Sequence, residues 1–234
     1  MLSRRLLLGL VFGLAALTPP NSAQATLGFT DPAAFAAALP GPAQTLDFES
    51  LPPGALIPSG SGAGGVTFTY SIAGLTMEVT NAFSTTSGTN SLGLTGGDDA
   101  FQDGDAFDLA FAPSLALGMF FITSDPAIAN EILLTAGSGT TGNAATPFSV
   151  LPDGGIAYFV GLVGDAPFSA ASVHFLQDGQ VNFVFNVDDI TTAVPEPGAG
   201  ALLALGLAGL VVCARRIPGP RCRRTSRCVE SPGR

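Results

Sequence analysis

Residues 66–72 read Val-Thr-Phe-Thr-Tyr-Ser-Ile, with apolar side chains at 66, 68, 70 and 72 and hydroxyl-bearing ones at 67, 69 and 71, Tyr70 alone being both. Side chains of an extended chain point alternately to opposite faces, so this stretch predicts a strand with one face on a core and the other in water. The same period of two recurs at Phe107, Leu109 and Phe111 against Asp108, and at Val181, Phe183, Phe185 and Val187 against Asn182 and Asn186. Two longer apolar runs, 115–123 and 156–163, suit central strands covered on both faces. Clusters of Gly, Pro, Asn and Asp between these runs supply the turns. One helix is expected, with Asp31 as its N-cap, Pro32 in the first turn and Ala33 to Leu39 continuing it. The predicted fold is therefore all-β: an antiparallel β-sandwich, jelly-roll-like, with one short N-terminal helix and a C-terminal hydrophobic anchor helix. Sixteen phenylalanines beyond Phe12 are expected to fill the core.

The charges of the 234-residue chain are sorted along it. All nine basic residues are arginines at the two ends, from Arg4 and Arg5 to Arg215, Arg216 and the tail that closes on Arg234. Sixteen of the eighteen acidic residues lie between Asp31 and Asp189, a stretch with no lysine or arginine. So negative a body repels nucleic acid, phosphates and anionic lipid, which excludes nucleic-acid binding.

Both ends read as addresses. Residues 1–25 combine Arg4 and Arg5, an apolar run from Leu6 to Leu17, and the small-residue cleavage pattern Ala23-Gln24-Ala25, as a signal peptide read by the secretion translocon does. A second apolar run, 198–213, follows Val194-Pro195-Glu196-Pro197 and stops at Arg215 and Arg216. Sixteen residues at 1.5 Å rise make roughly 24 Å of helix, short for the roughly 30 Å hydrocarbon core of a bilayer. Arginines stay on the cytoplasmic side, so Glu196 and everything before it are expected outside the inner membrane. Residues 217–234 form a basic cytoplasmic tail. Cys213, Cys222 and Cys228 all fall in the anchor or tail, so the body between needs no disulfide in an oxidising compartment.

Val194-Pro195-Glu196-Pro197, then a Gly/Ala/Leu-rich helix, then Arg215-Arg216 resembles the PEP-CTERM sorting signal. The resemblance implies a Gram-negative exporter whose exosortase recognises the Pro195-Glu196-Pro197 region, removes the anchor and passes the protein to the cell surface or extracellular matrix. The tail beyond Arg216 departs from that pattern, in which the chain usually stops soon after the arginines. The expected organisation is signal peptide 1–25, β-sandwich ectodomain 26–193, sorting signal and anchor 194–216, and tail 217–234.

Chemistry within 26–193 is limited by composition: one histidine, His174, and no cysteine, lysine or arginine. His174 sits between Val173 and Phe175 and is expected to face away from the core. Two carboxylates alone can hydrolyse a glycosidic bond, and Glu49, Glu78 and Glu131 are the candidates, although they fall in separate segments. Asp98, Asp99, Asp103 and Asp105 crowd one turn with no basic residue near them in the sequence, and irregular oxygen-rich loops of this kind take calcium; a solvated acidic turn is the alternative. The body also loosely resembles jelly-roll carbohydrate-binding modules, which implies a calcium clipping first strand to last through Asp47 or Glu49 and Asp188 or Asp189. Sugar faces usually stack on Trp or Tyr, and here there is no Trp and only Tyr70 and Tyr158. Three classes remain: a non-enzymatic surface or matrix protein, calcium-stabilised; a module binding extracellular polysaccharide; and a two-carboxylate glycoside hydrolase.

Overall fold

The computed structural model describes residues 26–96, 98–176 and 183–193. The chain divides into two compact units, Met1–Pro195 and Glu196–Arg234, and every described residue belongs to the first. The expected signal peptide, sorting motif, anchor and tail lie outside the described residues. Among the described residues no helix is long and apolar enough to cross a membrane.

Among the described residues the body is antiparallel sheet, fourteen strands in one hydrogen-bonded network, with a single helix. Three long strands organise it: Phe107–Thr123, Ile156–Phe175 and Val184–Ala193. The first two pair along their whole length, from Thr123 opposite Ile156 to Phe107 opposite Val173, with register shifts between Val163, Phe168 and Ala170. On its other edge Phe107–Thr123 changes partner. Its first part pairs with Val66–Tyr70, Leu109 opposite Phe68, and its second part with Val184–Ala193, Phe121 opposite Val187. The long strands thus carry the sheet from one layer of the sandwich into the other, and the bulged register marks the bend.

Aromatic rings join the two layers. Phe107 and Phe175 come from one half of the long strands and Phe101, Phe121 and Phe185 from the other side of the core. Phe101 lies 5.6 Å from Phe107, and Phe185 lies 4.3 Å from Phe175, centroid to centroid. The alternation read at 66–70 holds: Val66 and Phe68 are buried while Thr69 is exposed. The strand ends at Tyr70 rather than Ile72. The Tyr70 hydroxyl donates to the Ile57 carbonyl at 2.7 Å and accepts the Met77 N–H at 2.8 Å, which closes the edge.

The two central apolar runs are covered on both faces, as their composition predicts. Leu117, Met119 and Phe121 point into the main core, and Ala116 and Phe120 point outward, where the helix Pro32–Ala38 lies. Asp31 caps that helix, its Oδ1 accepting the Ala33 N–H at 2.8 Å. Phe35 is the helix's one buried residue. It packs over two glycines on neighbouring strands, where no side chain fits. A methyl at Gly118 would stand 2.7 Å from Phe159 and 2.9 Å from Phe35, and one at Gly161 would stand 2.8 Å from Phe35.

Two expectations fail. Asn186 is buried, because its Nδ2 donates to the Asp99 carbonyl at 2.9 Å and residues around Asp99 cover that face of the strand. Phe83 and Phe148 are exposed, so the phenylalanines are not all core. Val163, Ala116, Ala193 and Ala43 form one row across four strands, and Thr26 pairs with Gly164 beside it. The first and last described residues therefore sit at the same end of the sheet.

Candidate functional site

A body without lysine or arginine must satisfy its carboxylates with N–H and O–H donors, and one loop supplies them. Residues 84–90, Ser-Thr-Thr-Ser-Gly-Thr-Asn, are gripped by four carboxylates from three parts of the chain. Asp153 Oδ2 accepts the Ser84 N–H at 2.6 Å. Asp188 Oδ2 accepts the Thr86 N–H at 2.9 Å and the Thr86 hydroxyl at 2.6 Å. Asp189 Oδ1 accepts the Ser87 hydroxyl at 2.7 Å. Glu49 Oε1 accepts the Thr89 and Asn90 N–H groups, both at 2.6 Å. Asn90 returns the grip, its Nδ2 donating to the Leu51 carbonyl at 3.1 Å.

The geometry follows from the chain. Ala43–Leu46 pairs with the end of Val184–Ala193, Leu46 opposite Ile190, which brings residues 47–49 alongside 188–189. The latter strand breaks register between Asp188 and Thr191, and Asp189 has φ 49°. Gly88 has φ +60°, and a side chain there would collide with the Glu49 carboxylate.

Burial sets Asp188 apart. It is fully buried, and this pushes its carboxyl from 3.8 up to about 6; the Asp189 charge adds to the rise, and the Thr86 and Ser87 donors hold it back. Glu49, exposed, is held below the usual range by the Thr89 and then the Asn90 N–H. Asp153 is lowered by the Ser84 N–H.

The structure thus brings Glu49, Asp188 and Asp189 to one loop. Asp47 caps its own turn, Oδ1 accepting the Glu49 N–H at 3.1 Å. The acidic turn is built differently. Asp105 Oδ2 accepts the Gln102 N–H at 2.8 Å, the Asp103 N–H donates to the Phe183 carbonyl at 2.9 Å, Asp99 serves Asn186 through its carbonyl, and Asp98 is exposed. Among the described residues no three His, Cys, Asp or Glu side chains are grouped to hold a metal ion. His174 is half-buried between buried Val173 and Phe175. Glu78 is half-buried on Met77–Thr80, and Glu131 is buried with Oε2 accepting the Ile128 N–H at 2.7 Å.

Sequence reasoning missed the partners Thr86, Ser87, Thr89, Asn90 and Asp153. Their signal is the run of hydroxyl and amide side chains opposite carboxylates that have no cation to pair with. It also missed Phe83, whose exposed side chain lines two clefts that share Asp153. The polar cleft, about 470 Å³, is lined by Asn81, Ser84, Thr85 and Thr89; the other, about 220 Å³, is lined by Ile122 and Val184. Tyr158 is buried and Tyr70 half-buried. The Tyr158 hydroxyl accepts the buried Ala127 N–H at 3.0 Å, and Tyr70 closes the sheet edge.

The described chain ends at a second built feature. Ala193 is fully buried, and its N–H donates to the Ser114 hydroxyl at 2.9 Å while that hydroxyl lies 2.6 Å from its carbonyl oxygen. Residues 193–216 match the model of the PEP-CTERM protein-sorting motif. Among curated proteins none matches the chain. The motif covers about a tenth of the sequence and marks an exported protein, held at the membrane for processing by an exosortase before release to the surface.

Proposed function

We propose that the body 26–193 is a non-enzymatic surface or matrix module of a Gram-negative bacterium, passed through the secretion translocon and anchored in the inner membrane until the exosortase acts. The observation that carries this is the junction. The sorting motif begins at Ala193, the last residue of the last strand, so the whole sandwich is the cargo. Composition supports the absence of catalysis, since the body has one histidine and no cysteine, lysine or arginine, and its three glutamates sit in three different settings. Calcium enters this reading on charge grounds, from sixteen acidic residues between Asp31 and Asp189 in a stretch with no lysine or arginine. Replacing Pro195, Glu196 and Pro197 by alanine in the full chain is expected to trap it in the inner-membrane fraction of an exosortase-containing host. Unchanged delivery to the surface would refute the sorting reading.

A second reading, binding of extracellular polysaccharide, is favoured by the Phe83 cleft, where an exposed ring stands beside Asn81, Ser84, Thr85 and Thr89. An aromatic face with hydroxyl, amide and carboxylate neighbours is a setting in which sugar rings stack and hydrogen-bond. Glycan-array binding by the surface form that is lost in Phe83→Ala supports it. Binding that survives this substitution places the sugar elsewhere.

A further inference from the structure

The last strand is fastened by a side chain rather than only by its ladder. Ser114 lies in Phe107–Thr123 beside the bulged corner and is buried. Its Oγ accepts the Ala193 N–H at 2.9 Å and lies 2.6 Å from the Ala193 carbonyl and 2.7 Å from that of Ala116. A hydroxyl has one proton, so the two carbonyls share it, while the Ala193 N–H has this oxygen as its acceptor.

Ala193 is also the first residue of the matched sorting motif. Only Val194 separates it from Pro195, so sheet and motif adjoin without a linker. Enzymes that read a peptide commonly take it as an extended strand and bond its main chain. Here the main chain at Ala193 is already engaged by Ser114. Pro195 and Pro197 have no N–H to offer either the sheet or an enzyme, which raises the value of every main-chain group before them.

We propose that Ser114 is a positioning residue for processing: its hydroxyl latches the chain at Ala193, confines the exosortase to substrate beyond that residue, and so sets the rate at which the motif is used. The inference rests on the sorting reading above. Opening the latch lengthens the stretch the enzyme can engage, and the ladder of Thr191 and Thr192 opposite Thr45 and Gln44 on one side and Gly118 and Leu117 on the other keeps the rest of the strand in place.

The test uses the full chain in an exosortase-containing host and in a strain lacking the enzyme, with pulse-chase of the precursor and amide exchange on the purified protein. Ser114→Ala is expected to raise exchange at the Ala193 N–H by about tenfold, what loss of one buried hydrogen bond gives, with Leu92 and Phe121 unchanged. It is expected to shorten the precursor half-life several-fold, and Ser114→Thr, which keeps the hydroxyl, is expected to restore it. A Gly-Ser linker inserted between Ala193 and Val194 leaves the fold untouched and keeps the test open if Ser114→Ala does not fold; it should give the same acceleration. Wild-type processing rates in Ser114→Ala despite faster exchange, unchanged exchange, or a linker without effect would each overturn the latch. A wild-type precursor whose fate is the same with and without the exosortase would refute the sorting reading itself, and the latch with it.

Discussion

Replacing Asp188 by Asn should change the pH dependence of stability more than stability itself. Asp188 is fully buried, and its carboxyl stands at about 6 in the folded protein against an ordinary 3.8. The native state therefore holds this proton more tightly than the unfolded chain does. The resulting stabilisation is fully present below pH 3.8 and is lost as pH rises through 6. Between about pH 7.5 and about pH 4 it amounts to about 2 kcal/mol. Asn cannot titrate. Its oxygen can still accept from Thr86 and Ser87, but its NH2 would face the Asp189 N–H that now donates to Asp188 Oδ1, which costs about 1 kcal/mol at any pH. Glu49 and Asp153, held low, act in the opposite direction in both proteins and drop out of the comparison. Urea unfolding of the secreted body across this range should show wild type gaining on Asp188→Asn by about 2 kcal/mol toward acid. Parallel curves, or a gap that closes toward acid, would mean that the loop donors outweigh burial and the reasoning is wrong.

Gly88→Ala should destabilise by about 1–2 kcal/mol from its left-handed backbone, and further by displacing Glu49, read as faster amide exchange at Thr89 and Asn90. Phe35→Ala should cost about 3–5 kcal/mol, and Gly161→Ala should cost less in that background than alone, since a methyl at 161 collides with Phe35 at 2.8 Å as well as with Phe159 at 2.9 Å; additive losses in denaturant unfolding would contradict this packing. Calcium in excess over its Kd should raise the melting temperature relative to chelator at matched ionic strength, a hundredfold excess giving about 2.7 kcal/mol; an unchanged midpoint removes calcium from the reading.

The architecture was legible where periodicity is local. Val66 to Tyr70, Phe107 to Leu109 and the Asp31-Pro32 helix start all lie where their spacing places them, because alternation and capping are properties of a few neighbouring residues. Long-range contacts were not legible. Nothing near Asn186 announces that residues around Asp99 will cover it, and nothing near Gly118 or Gly161 announces Phe35. Val181 and Asn182 of the expected strand lie outside the described residues, and the strand, Val184–Ala193, runs past the apolar run, with Asp188 and Asp189 finding donors in a loop a hundred residues away. The resemblance to carbohydrate-binding modules implied a shared calcium for them, and in the described geometry Thr86 and Ser87 donate to them. Phe83 reads as core by composition and is exposed, lining the polar cleft instead.

The central claim, that this is an exosortase-processed export, is tested most directly by the mass of the C-terminal peptide of the surface form made from the full chain in an exosortase-containing host. The expected end lies between Val194 and Pro197, with the apolar 198–213 segment gone. A surface protein that still ends at Arg234 would contradict it.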